Sequence, residues 1–439
     1  MYDLGIINGL VYLGQKFKKK NIYIKDGKIA AISPTLLDAT ETFDCKGDLV
    51  IPGIIDPHTH FDLDLGSISS RDTFFTGTKA GVYGGVTTII DFLEPSSNSE
   101  DLEIAFHKRI KQAKQSVVDY KFHACLKNPK NEVIPITVKM NHLGLNTVKI
   151  FTTYSDSNRR TYDQEIIELL KHSTINDYMV TAHIENDTLI ETNDEDSYRE
   201  LPLNRPTISE TSEAIKLARY ARETKGNLYM VHCSSGETIH HLKHEFKDIL
   251  NKNFIIESCP HYFVFNNEEL KHEDGYLYTM APPLRSESER ILLTQHIDDV
   301  FTIGTDHCSF NIKDKHVELL NKMPLGVAGV AESFDIMFSI FGDKIIDKMT
   351  KNVAIAHKLY PQKGVIQEKS DADLFIYHLE DNTLDTLRGN TDYSIYKDIT
   401  VRGRVSSTIS NGKFVLKDGE FLGGKGHLLN KCGDYCESD

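Results

Sequence analysis

A chain of 439 residues can bury a large core and hold one to three domains. The formal net charge of −14 argues against a broad nucleic-acid surface, and 40% hydrophobic with 26% charged residues is ordinary for a soluble globular enzyme. Seven cysteines, an odd number without a Cys-x-x-Cys pair, read as reduced thiols of a cytoplasmic protein; no stretch reaches the ~18 apolar residues of a membrane span, and none at the start reads as a signal peptide.

Residues 1 to about 51 read as short strands and turns, with Ile22-Tyr23-Ile24, the turn Lys25-Asp26-Gly27-Lys28 and Ile29-Ala30-Ala31-Ile32 in succession. From Val50 the pattern becomes apolar strand alternating with amphipathic helix. Strands are expected at 49–55, 86–92, 119–126, 146–151, 178–183, 227–232, 253–258 and 300–305, and helices at 100–116, 162–172, 209–224 and 235–249. About eight such units predict a (β/α)8 TIM-like barrel, with a doubly wound open sheet as the alternative. After about residue 370 strands and turns return. The expectation is therefore a small β-sandwich domain built from both termini, 1–51 with 371–439, and a barrel domain over 52–370. Cys432 and Cys436 fall in a polar tail.

Chemistry in a parallel barrel comes from the carboxyl ends of its strands, so position is the test for each candidate. His58 and His60 follow an apolar run and, two apart on extended chain, face the same way, as two imidazoles chelating one metal would. His183 ends one predicted strand, His232 another and Asp306 a third. A lone histidine at a strand end is commonly a core residue; three metal-capable side chains at strand ends beside a His-x-His point to a shared site. His240, His241, His244, His107, His172 and His296 lie on helical stretches and read as solvated. Lys149 sits inside the apolar strand 146–151, where a lysine is costly unless paired or modified. It reads either as a salt-bridging lysine at the barrel mouth or as a neutral amine able to take up carbon dioxide as a carbamate.

The stretches PGIIDPHTHFD from Pro52, DTFFTGTKAGVYGGVTTIIDF from Asp72, NTVKIFTTY from Asn146, TAHIEN from Thr181, ESCPHY from Glu257, APPLR from Ala281 and IGTDHCSFN from Ile303 resemble the hydantoinase/dihydropyrimidinase family, cyclic amidases of the amidohydrolase superfamily. The resemblance covers nearly the whole chain. It implies two Zn2+ bridged by a carbamylated Lys149 (N6-carboxylysine). His58, His60 and Asp306 would hold one metal with it, and His183 and His232 the other. It further implies Asp306 as the proton carrier, Tyr154 as the hydroxyl facing the developing oxyanion, and substrate held by backbone near Ala281 and Leu325. Relatives commonly carry Ser and Asn at those two places. The loops 61–72, 93–100 and 153–161 would line the mouth, with Phe61, Leu63, Leu65, Leu93 and Phe151 as apolar contacts or core. The implied reaction opens a dihydropyrimidine or 5-substituted hydantoin to an N-carbamoyl amino acid, in a homotetramer or homodimer. An allantoinase-like hydrolase and a metal-free dihydropyrimidinase-related scaffold protein are the alternatives. Asp62 stands where a dihydroorotase typically has Arg, which argues against a carboxylate substrate.

Overall fold

The structure, a computed structural model, describes residues 1–191, 193–430 and 433–436, so Cys432 lies outside it. Among the described residues two large sheets dominate. One has nine strands, five from the amino end and four from the carboxyl end: β1 Tyr2–Tyr12, β2 Phe17–Lys25, β3 Lys28–Ser33, β4 Ala39–Asp44, β5 Leu49–Pro52, and later Leu374–His378, Arg404–Ser410, Lys413–Lys417 and Glu420–Phe421. β1 is the hinge of this sheet. Its first half pairs with β4 and its second half with β5, and β5 in turn pairs with Leu374–His378.

The second sheet has eight parallel strands in consecutive order: β6 Ile54–Thr59, β7 Val86–Phe92, β8 Asp119–Cys125, β9 Thr147–Phe151, β10 Met179–His183, β11 Leu228–Met230, β12 Phe254–Ser258 and β13 Thr302–Ile303. Unbroken order with a helix after most strands is a barrel, and it removes the doubly wound alternative, whose order reverses midway. The first strand meets the segment that follows the last through a bridge between Thr59 and His307, with His60 N donating to His307 O at 2.9 Å.

The barrel strands β7 and β8 are buried along their whole length because both faces are covered, one by interior side chains and the other by helices. The expected helices appear at Ser99–Ala113, Asp163–Ser173, Thr207–Thr224 and Gly236–Glu245. Expectation and structure differ at 49–55, which is two strands. Leu49–Pro52 belongs to the terminal sheet and Ile54–Thr59 to the barrel, with Gly53 between them. A Cβ at Gly53 would lie 2.1 Å from Thr87 Oγ1, so the switch between sheets needs glycine there. His58 thus lies within a barrel strand and not after one.

Candidate metal and catalytic site

His58 is buried and His60 half-buried at the end of β6. The segment is held from two sides. Asp56 accepts from Thr305 N (3.1 Å), Thr305 Oγ1 (2.5 Å) and His58 N (3.2 Å), which fastens β6 to the loop after β13. Asp91, at the end of β7, accepts from Thr59 Oγ1 (2.9 Å) and Phe61 N (3.0 Å), and is itself paired with the buried Arg109. This bracing brings Asp306 against the histidine pair: its Oδ1 lies 3.1 Å from His58 Nε2 and 3.1 Å from His60 Nε2.

On the opposite side of the barrel mouth, His183 Nδ1 and His232 Nε2 stand 3.0 Å apart. The His58 and His232 rings are 5.4 Å apart, so the two groups adjoin. Lys149 on β9 is buried, with its Nζ 5.0 Å from the Phe92 ring centroid and 5.5 Å from that of Phe151. It lies within electrostatic reach of His58, His183 and His232. All six side chains singled out in the sequence as metal ligands are therefore brought together.

Three residues of the site leave their strands or loops in the left-handed region: Tyr154 (φ 68°), His232 (φ 40°) and Asp306 (φ 50°). For a residue with a β-carbon this costs on the order of 1–3 kcal/mol, and such conformations cluster at functional sites.

Electrostatics sort the groups. Burial lowers the pKa of His183 to about 4 and holds His232 well below its ordinary value, so both imidazoles are neutral, the form that binds metal. Burial also lowers Lys149 to about 8, toward the neutral amine. His58 is the exception. Burial pulls it down, but the carboxylates of Asp306 and Glu257 outweigh that and raise it to about 9. Asp306, despite burial, is held well below the carboxylate range by the adjacent histidines.

Several residues that sequence reasoning quoted within motifs but gave no role prove central. Glu257, fully buried on β12, meets His58 Nδ1 at 2.8 Å and accepts from His232 N (3.2 Å) and the Tyr229 hydroxyl (2.6 Å). It turns His58 Nε2 toward Asp306 and couples the two halves of the site. Gly304 makes room for it, because a Cβ there would lie 2.9 Å from the Glu257 carboxylate and 3.1 Å from His58 Cβ. Glu185 does the same for His183, meeting its Nε2 at 2.7 Å and turning Nδ1 inward. A carboxylate behind a histidine is the usual outer partner of a metal-binding imidazole. His261 is buried beside the site, and among the described residues neither ring nitrogen has a hydrogen-bond partner. The only available signal for these groups was their place at or just past a strand end.

Tyr154 is partly exposed beside His183, ring centroids 5.2 Å apart, and its hydroxyl accepts from Arg205 Nη2 at 3.2 Å. Ala281 and Leu325 are both partly exposed. Their segments are tied together by Gly326 N donating to Thr279 O (3.0 Å), and by the buried Lys315, whose Nζ donates to Thr279 O (2.8 Å) and Gly326 O (2.6 Å). Of the apolar candidates, Phe61 and Leu93 are core, whereas Leu63, Leu65 and Phe151 are partly exposed. The Asp62 carboxylate accepts from Phe74 N at 2.9 Å, at the start of helix Phe74–Tyr83. It is engaged there, which weakens the argument from charge repulsion.

The donor set fits a metal centre. His58 Nε2, His60 Nε2 and Asp306 Oδ1 converge within ligand range of one point, and among the described residues the buried His58 Nε2 has no well-formed hydrogen bond. Histidine and carboxylate at the carboxyl ends of barrel strands define a class: a (β/α)8 hydrolase whose chemistry is metal-assisted. The Amidohydrolase family model matches residues 49–415, and the chain belongs to that family, whose members depend on metal. Among relatives, D-phenylhydantoinase of Escherichia coli O81 (strain ED1a) is 29% identical, with 97% of each chain covered. The dihydropyrimidinase of Brevibacillus agri NCHU1002 superposes with a TM-score of 0.91 at 27% identity over the whole of both chains. The L-hydantoinase (dihydropyrimidinase) of Arthrobacter aurescens gives 0.86 at 25%, covering 98% of this chain and 100% of that one.

Proposed function

We propose that this protein hydrolyses a cyclic amide or ureide, opening a dihydropyrimidine or 5-substituted hydantoin ring to an N-carbamoyl amino acid. The observation that carries the reading is the convergence of His58, His60 and Asp306 on one side, and His183 Nδ1 with His232 Nε2 on the other, around the buried Lys149. The likeness to relatives named as hydantoinases and dihydropyrimidinases supports the substrate class.

His58, His60 and Asp306 would hold one Zn2+ and His183 with His232 a second, with Lys149, as its carbamate, bridging them. Two such ions supply Lewis acidity and lower the pKa of water. Asp306 takes the proton of the attacking water and delivers it to the leaving ring nitrogen as the carbon–nitrogen bond breaks. The Tyr154 hydroxyl donates to the oxygen that gains negative charge. Backbone near Ala281 and Leu325 fixes the ring, and the exocyclic substituent lies toward Leu63, Leu65 and Phe151.

Assay of zinc-loaded protein on dihydrouracil, hydantoin, phenylhydantoin, allantoin and dihydroorotate tests this. Ring opening of one of the first three is expected. Turnover of allantoin alone would move the reading to an allantoinase-like enzyme, and neither zinc nor turnover would leave a scaffold protein. Lys149→Ala is expected to lose both metals and activity; near-normal turnover would remove the bridge. The chain is read as two units, 1–51 with 371–439 and 52–370, in a cytoplasmic homotetramer or homodimer. The buried free thiols of Cys45, Cys125, Cys233, Cys259 and Cys308 suit a reducing compartment. Exposed Ile104 and Val138, on the adjacent helices Ser99–Ala113 and Val133–His142, suit self-association, which light scattering tests.

A further inference from the structure

We infer that Arg205 is a positioning residue for the reaction: one guanidinium fixes both the carboxylate behind His183 and the hydroxyl of Tyr154, and so sets the oxyanion donor in register with the second histidine pair. This rests on the reading of Tyr154 given above and extends it to a residue outside every stretch that carried the family resemblance.

Arg205 is buried, at the end of the short helix Leu201–Asn204. Its Nε donates to both Glu185 oxygens at 3.2 Å, and its Nη2 pairs with Glu185 Oε2. The same Nη2 donates to the Tyr154 hydroxyl at 3.2 Å, and the guanidinium carbon lies 5.0 Å from the Tyr154 ring centroid. Glu185 Oε2 in turn meets His183 Nε2 at 2.7 Å. His183, Glu185, Arg205 and Tyr154 thus form one continuous chain of contacts, buried except at Tyr154.

Arginine has donors only, so in this contact the tyrosine oxygen must accept. With that lone pair engaged, the phenolic hydrogen is left to point elsewhere, and a charged donor behind the oxygen makes the O–H the stronger donor in front. Tyr154 is partly exposed with a left-handed backbone, just before the exposed turn 155–158, so a contact from outside that loop is what fixes its hydroxyl. Arg205 is itself anchored, because its carbonyl oxygen accepts from Arg285 Nη1, and Arg285 Nε donates to Ser234 Oγ at 2.9 Å. Arg285 closes the APPLR stretch and Ser234 follows His232 by two residues. The backbone near Ala281, the second histidine pair and the tyrosine therefore share one framework.

A double-mutant cycle on the zinc-loaded enzyme tests the inference. Arg205→Lys keeps a cation for Glu185 but cannot fork to the tyrosine. The expected result is two metals per chain by elemental analysis, a kcat about 10-fold or more lower, the scale of outer partners, and a KM little changed. In a Tyr154→Phe background, already slowed by about 10²–10³-fold as for one lost oxyanion donor, the lysine substitution should cost nothing further. Equal cost of Arg205→Lys in both backgrounds, or loss of metal accounting for the whole effect, overturns the inference and leaves the role of Tyr154 standing. Unchanged turnover of Tyr154→Phe overturns both. Restoration of Arg205→Ala by millimolar guanidinium gives a second reading: rescue is expected with Tyr154 present, and rescue of equal size in Tyr154→Phe counts against the inference.

Discussion

His58 and Glu257 show how single residues prepare the site. Glu257 occupies His58 Nδ1 at 2.8 Å, so only Nε2 remains to face Asp306. Glu257→Gln keeps the shape and removes the charge. Outer carboxylates of this kind are worth about 10- to 100-fold in metal affinity, and a loss of that size is expected in competition with a chelator; unchanged affinity would assign Glu257 to packing alone. The raised pKa of His58 has a consequence with a definite sign. In the metal-free protein His58 holds its proton up to about pH 9, because Asp306 and Glu257 outweigh the effect of burial. A metal must displace that proton, so zinc affinity is expected to rise with pH and to level off above about pH 9. Titrations at pH 6.5, 7.5 and 8.5 that gave one affinity would contradict it.

Strand ends are where the sequence spoke most clearly. Largely apolar runs terminating in His183, His232 and Asp306 were legible because a barrel strand buried on both faces is rich in apolar residues, and the metal-capable residue that ends each run falls at the mouth. The run 49–55 was not divisible on the same grounds, since β5 and β6 are both apolar and both buried. What separates them is contact with Thr87 on β7. Gly53→Ala puts a Cβ 2.1 Å from Thr87 Oγ1, and a clash of that kind in a packed core costs about 1–3 kcal/mol. Urea unfolding should show it; a change within experimental error would mean the two sheets can shift apart at that point.

Across the whole molecule, a second ionic centre ties the barrel to the terminal sheet. Lys363 is buried with its Nζ 2.7 Å from Asp119, 3.0 Å from Asp371 and 2.6 Å from Asp373. Asp119 opens β8 at the amino end of the barrel, while Asp371 and Asp373 lead into the strand Leu374–His378 of the terminal sheet. The three carboxylates have the spacing of a cation site, and the lysine stands among them as the cation. Removing one partner of a buried ion pair leaves uncompensated charge, at about 3–5 kcal/mol. Lys363→Met is expected to lower stability to urea by that order. Its kcat per folded molecule should stay unchanged, because the residues proposed for catalysis lie at the opposite ends of the strands. Wild-type stability in this variant would show that the two parts are held by apolar contact alone.

The sequence by itself determined the kinds of group available and the strand end that carries each, since local periodicity dictates which face a side chain takes and where an apolar run stops. It could not determine which atoms meet. Asp306 reaches His60 across 246 residues only because β13 closes on β6, and Asp56 must bind Thr305 for that closure to place a carboxylate 3.1 Å from two imidazoles. Glu185, Glu257 and Arg205 were silent in the chain for the same reason: each acts through a contact that exists only once distant segments have packed, and packing follows from the whole fold.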